Sequence, residues 1–231
     1  MGCASGGKVG AQEDAANPPP AVDAAEPDAK EEVVVDAPPD AFVPVADAFV
    51  PPPPDACVSQ TTQLLANPVF DLTPVGTGWQ QTPIDPAFPL VTDQDGVPEH
   101  SAPFKAWLGG IVSSSTTTAA TDILFQDVTI PPLTTSLVLT GQFDVRTAET
   151  DTVAFDTAQF AVTQTNGTPI VTILNLSNLT PKTGWTPINH TFTQNLSGQT
   201  IRIRMTSSND FLDATSFYFD SLSLVAVHGC P

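Results

Sequence analysis

From residue 57 onward, apolar and polar positions alternate with a period of two, and turn residues interrupt the pattern at short intervals. That is the signature of strands buried on one side. In the clearest stretch, Leu137, Leu139, Phe143 and Val145 share one face, while Val138, Thr140, Gln142, Asp144 and Arg146 take the other. Ile201, Ile203 and Met205 alternate with Arg202 and Arg204 in the same way. Further strands are predicted near Leu64–Leu72, Ala106–Leu108, Ile123–Ile130, Phe155–Thr163, Ile170–Leu174, Trp185–Phe192 and Phe217–Val227. Pro131-Pro132, Asn166-Gly167, Pro181 with Gly184, and Ser197-Gly198 separate them. No segment has helical period. About nine or ten strands of this length predict an all-β fold, a jelly-roll β-sandwich over residues 57–231.

The pattern is absent before residue 57. Residues 1–56 hold eleven Pro, eleven Asp or Glu, two Lys and two aromatics, Phe42 and Phe49. Such a segment cannot bury enough apolar surface to offset its ordering entropy, which predicts a disordered Pro/Ala/Asp-rich tail. Asp40-Ala41-Phe42-Val43-Pro44 recurs as Asp47-Ala48-Phe49-Val50-Pro51, and Pro51–Pro54 predicts a stiff polyproline spacer. The whole chain has 25 acids against 7 Lys and Arg, a net charge of −18. That balance argues against nucleic acid and anionic lipid surfaces, which need clustered cations. It permits divalent cations.

Three cysteines add a constraint. Cys57 stands where the tail stops and Cys230 is the penultimate residue. In a sandwich whose first and last strands lie side by side, such a pair would form a disulfide, which implies an oxidising compartment; two separate thiols are the alternative. Cys3, in Met1-Gly2-Cys3-Ala4-Ser5-Gly6-Gly7, has the small-residue context of a bacterial lipoprotein's modified cysteine. The basic and apolar segment expected before it is missing. Lipidation of Cys3 is therefore an expectation, with a chance Gly-Cys as its rival. It places the protein outside the cytoplasm, at the outer membrane or cell surface of a Gram-negative bacterium, with that lipid as its membrane contact.

Several segments occur together in a telling order: Ala106–Gly110, Asp122–Pro131, the Thr147–Asp151 turn, Trp185, Ser197–Ile201 and Thr215–Leu224. In order and spacing they resemble the galactose-binding-like jelly rolls appended to secreted bacterial proteases, relatives of calcium-containing carbohydrate-binding modules. The tail resembles the stalks of myxobacterial surface lipoproteins. The domain resemblance spans about residues 64–227. It implies a structural Ca²⁺ held by two acids, here Asp71, in Asn67-Pro68-Val69-Phe70-Asp71, and Asp220. Asp71 is shorter than the Glu usual there, and Ser221 replaces a second Asp. The alternative is that both acids cap neighbouring amides. Asp93, Asp95 and Glu99 form a further acidic loop, expected to be solvated.

A sugar ring stacks on an exposed aromatic face. Trp79, flanked by Gly78 and Gln80, and Trp185, after Gly184, are the candidates for strand-rim positions; Trp107 and Tyr218 are expected in the core. His100, His190 and His228 lack the spacing of a metalloprotease helix or a serine nucleophile elbow. His190 alternates with Ile188 and Phe192 and is expected to be a satisfied sheet residue. No enzyme is predicted. The expectation is a monomeric, non-catalytic binding module for polysaccharide or envelope glycan, with a protein-binding adhesion or display lipoprotein as the alternative.

Overall fold

The computed structural model describes residues 57–94 and 97–230. The acidic tail, the Cys3 site and Asp95 lie outside the described residues. Eleven strands are described: β1 (Gln60–Gln63), β2 (Gln80–Thr82), β3 (Val91–Thr92), β4 (Lys105–Gly109), β5 (Ala120–Thr129), β6 (Thr134–Thr147), β7 (Thr157–Gln164), β8 (Pro169–Ser177), β9 (Thr186–Thr191), β10 (Thr200–Asn209) and β11 (Thr215–His228). They form two antiparallel sheets. One has the order β3-β4-β11-β6-β9 with β1 also on β11; the other is β2-β5-β10-β7-β8. The domain is an all-β jelly-roll sandwich, with no helix among the described residues.

The alternation in the sequence is the alternation in the structure. Along β10, every second residue from Ile201 to Asn209 is buried. Ile203 and Met205 meet Leu124 of β5 and Phe160 of β7 in one cluster, which Leu139, Phe217, Phe219 and Leu224 complete from the other sheet. Phe160 and Phe219 touch edge to face across the sandwich, with ring centroids 5.7 Å apart. Each such ring contributes roughly 1.5–3 kcal/mol by leaving water.

The expected strand over Leu64–Leu72 does not form. Asn67 and Phe70 both take left-handed backbone, with φ of 51° and 65°, and Asn67 builds a compact turn around itself. Its side-chain amide donates to Thr77 O, its Oδ1 accepts from Leu72 N, and its carbonyl accepts from Trp79 Nε1. A side chain that satisfies the backbone locally competes with the sheet ladder. The first strand lies earlier, at β1. Strands β2 and β3, of three and two residues, are too short to show a period. Strand β10 runs beyond its apolar part because Ser207 and Asn209 continue the inward row as buried polar residues.

First and last strands are neighbours, Gln60 facing His228 and Gln63 facing Val225. Cys57 and Cys230 are disulfide-bonded, with Cα atoms 5.6 Å apart and a sequence separation of 173. Chain-entropy reasoning puts the stabilisation from so long a loop at roughly 4–5 kcal/mol as an upper figure. Replacing both cysteines with Ser is therefore expected to lower the melting temperature by many degrees. A melt that neither the double variant nor reductant changes would show that the β1–β11 ladder closes the chain unaided.

Candidate functional site

The two acids singled out in the sequence do come together. The chain between β3 and β4 runs over the outer face of the six-stranded sheet and bonds both to β11 and to Asp71 in the segment between β1 and β2. Ser101 N donates to Asp220 Oδ2 (2.7 Å), and Ser101 Oγ donates to Asp71 Oδ2 (3.3 Å). Phe104 N donates to Asp71 Oδ1 (3.1 Å). Asp220 sits beside a bulge in the β6–β11 ladder between Asp220 and Ser223. There Ser221 adopts φ 49° and its amide donates to Asp220 Oδ1. Asp220 is fully buried. Burial, with Asp71 as a nearby like charge, pushes its carboxyl up to about 6, against the pull of amide hydrogen bonds from Ser101, Ser221 and His100.

The aromatic candidates separate. Trp79 is not at a rim: it is 6% exposed, packed on Phe70 with centroids 5.1 Å apart, and its Nε1 is spent on Asn67 O. A ring so enclosed offers no face to a sugar, which corrects that expectation. Trp185 is partly exposed. Its ring meets His100 edge-on at 5.9 Å and its Nε1 donates to Pro98 O (3.1 Å). Trp107 and Tyr218 stack on the outer face of the six-stranded sheet at 6.3 Å, rather than in the core between the sheets.

Two polar contacts and one unpartnered ring nitrogen were not legible in the sequence. His100 Nδ1 lies 2.7 Å from Ser221 Oγ, but no described carboxylate holds the other ring nitrogen; Asp220 is turned to backbone amides instead. The third group that orients a base toward a serine nucleophile is thus absent among the described residues. Glu99 is not merely solvated, because it pairs at 3.1 Å with Lys105, whose side chain is fully buried. His190 Nε2 is buried without a hydrogen-bond partner, contrary to the expectation of a satisfied sheet residue.

The outward face of the five-stranded sheet offers a different arrangement. Register places its side chains in rows across the strands. Thr121, Ser208 and Thr157 form one row; Ile123, Thr206, Gln159 and Asn175 form the next. Phe125, Arg204, Ala161 and Thr172 follow, then Asp127, Arg202 and Thr163. Apart from Ile123, the first two rows line an open groove of about 430 Å³, together with Ala158, Leu176 and Ser207. Beside it, Arg202 lies over the Phe125 ring at 3.8 Å and grips Asp127 through Nε and Nη2 at 2.7 and 2.9 Å. Arg204, opposite Phe125, has no acidic partner among the described residues. Its polar neighbours were visible only as alternation in β10, because the groove depends on which strands lie beside it.

No family model and no curated protein matches this chain. Among solved structures it is similar to TmCBM61 in complex with β-1,4-galactotriose, at 15% identity, covering 71% of this chain and 97% of that one, TM-score 0.46. It is also similar to the C-terminal family 22 carbohydrate-binding module of Clostridium thermocellum Xyn10B, at 11% identity, covering 73% and 92%, TM-score 0.39. A cyclase from Fischerella sp. TAU matches at 12% identity, covering 74% and 100%, TM-score 0.45.

The buried Asp220 has a pH signature. Folded, it keeps its proton up to about pH 6, whereas an unfolded Asp loses it near ~3.9. Between these values the native state binds more protons, so this group's contribution to stability falls as pH rises and is level above the window. In metal-free buffer, the stability of the wild type relative to Asp220→Asn is expected to decline between about pH 4 and 6. The decline is on the order of 2–3 kcal/mol at most. A difference that is flat or rises across that range would refute the assignment.

Proposed function

We propose that this domain is a non-catalytic surface module that binds a saccharide chain along the outward face of the five-stranded sheet, with a structural Ca²⁺ at Asp71 and Asp220. The observation that carries the reading is the groove of about 430 Å³ lined by Thr, Ser, Gln and Asn side chains with Ala158 and Leu176 among them. A sugar presents adjacent hydroxyls that each need a donor and an acceptor. Ser and Thr hydroxyls offer both, and Gln159 or Asn175 can span two neighbouring hydroxyls with one amide. Ala158 and Leu176 supply the apolar contact for the carbohydrate C–H face, and Arg204, one row further along, supplies further donors. The groove's size suits a short saccharide segment.

The calcium reading rests on the donor set. Each Asp71 and Asp220 oxygen described above accepts a hydrogen bond and retains a second lone pair. No salt bridge of the described residues neutralises either acid. A cation that takes six to eight oxygens would offset that buried charge. The Cys57–Cys230 disulfide favours an extracytoplasmic setting. In the same reading Cys3 carries the lipid that holds the protein at the outer membrane of a Gram-negative cell.

A protein partner is the second reading. Phe155, Phe211 and Leu212 are 44%, 43% and 52% exposed, and the two Phe line one depression of about 310 Å³. Such a patch suits an apolar contact better than a sugar.

Retention on a panel of immobilised polysaccharides tests the proposal. Wild type is expected to bind at least one. Arg204→Ala should bind more weakly by about tenfold or more, since a hydrogen bond from a charged group contributes roughly 1.5–3 kcal/mol, and Gln159→Ala severalfold more weakly, a neutral one contributing roughly 0.5–1.5 kcal/mol. Melting temperatures should be unchanged by either surface substitution. No retention by folded wild type would sink the saccharide reading in favour of a protein partner. Loss confined to Trp185→Ala would move the site to the β3–β4 loop.

A further inference from the structure

Near the start of β11, where Thr215 faces Thr147, the turn after β6 gathers a group of oxygens that the binding reading does not use. Glu149 Oε2, Asp156 Oδ2 and Asn178 Oδ1 are all buried and all lack a hydrogen-bond partner. Their residues are 7%, 0% and 5% exposed. Hydrogen bonds join Asp156 and Asn178 to each other and to neighbouring segments, and Asp156 is near enough for its charge to act on Glu149. Asn178 N donates to Asp156 O (3.1 Å), and Asn178 Nδ2 donates to Val153 O (2.8 Å), which leaves its Oδ1 as the free atom. Asp210 N donates to Asp156 Oδ1 (2.8 Å), which leaves Oδ2 free. Thr147 Oγ1 accepts from Glu149 N, fixing the start of the turn.

Every group in the set is an acceptor. A buried acceptor without a donor costs roughly 1–3 kcal/mol, and more when charged. Here two such groups are carboxylates, and no salt bridge of the described residues reaches them. Lys182, the nearby cation, donates to Thr147 O instead. Burial, then the fields of Asp156, Asp151, Asp210 and Asp213, push the Glu149 carboxyl above its usual range. Water could fill the lone pairs but would leave the negative charge uncompensated.

We propose that Glu149, Asp156 and Asn178 hold a divalent cation, calcium, at a site separate from Asp71 and Asp220. No three of the described His, Cys, Asp and Glu side chains gather closely enough to hold a metal by themselves. The Asn178 amide oxygen therefore completes the protein's share, and water supplies the rest. Calcium fits this mixed, flexible oxygen set better than magnesium, which demands a near-ideal octahedron. The ion would tie the turn after β6 to the end of β8, with Asp210 linking both to the segment after β10.

Calcium bound per chain, measured by equilibrium dialysis after chelator treatment, tests the site. Wild type is expected to bind two ions, Asp220→Asn one, and Asp156→Asn or Glu149→Gln one. A second readout separates a ligand from a merely structural residue. In chelator, Glu149→Gln and Asp156→Asn should melt higher than wild type, because each removes a like charge and adds a donor. In excess calcium they should melt lower. One ion in wild type that Asp220→Asn loses and Asp156→Asn keeps would overturn this site alone. One ion with the opposite pattern would support it and remove the ion at Asp71 and Asp220. No bound calcium in folded wild type would overturn both. Asn178→Ala gives the same answer if either acid variant fails to fold.

Discussion

The ladder between β6 and β11 is the constraint on which the rest of the domain depends. Both strands have fourteen residues, and β11 also pairs with β1 and β4. One strand therefore joins the beginning, the middle and the end of the domain. Its inward residues Phe217, Phe219, Leu222 and Leu224 supply much of the core's centre. Its bulge decides where Asp220 and Ser221 point. Almost all of this pairing is non-local, so loop-closure entropy must be met before the contacts repay it, a feature of slow-folding sandwiches.

The two sheets treat their outer faces differently. That of the six-stranded sheet is roofed by the chain between β3 and β4, which is why Lys105, Tyr218, Asp144 and Asp220 are buried although they point away from the core. Charged groups enclosed in this way must be paired: Lys105 is tied to Glu99, Asp220 to the Ser101 and Ser221 amides, and Asp144 to Arg146 and Val145 N. The outer face of the five-stranded sheet has no such roof among the described residues. Its rows keep Thr, Ser, Gln and Arg side chains at the surface, where hydrogen-bonding capacity is available to a ligand.

The sequence is most informative where one strand's own period settles the matter. The eight longer strands follow from alternation, and the Cys57–Cys230 bond follows from the position of two residues at the domain's edges. Failures occur where a side chain rewrites local geometry, as Asn67 does, or where a strand is as short as β3. Asp71 and Asp220 were found through a resemblance. Trp79 was misplaced because neighbouring Gly and Gln residues do not reveal that a turn folds the indole inward. The groove and the oxygen cluster at Glu149 were beyond reach for a common reason. Each is assembled from segments far apart in sequence, and strand order alone makes them neighbours.

The link between Cys57 and Cys230 also determines how the domain carries load. A pull arriving from the N-terminal side would otherwise peel β1 from β11 one hydrogen bond at a time, beginning at Gln60. The covalent bond passes tension to the end of β11 as well, along the axis of a strand held on both sides. Bonds loaded in that direction resist together. The point where such a pull enters is thereby also fastened to the central strand of its sheet, and the force would not unravel the strand through which it enters.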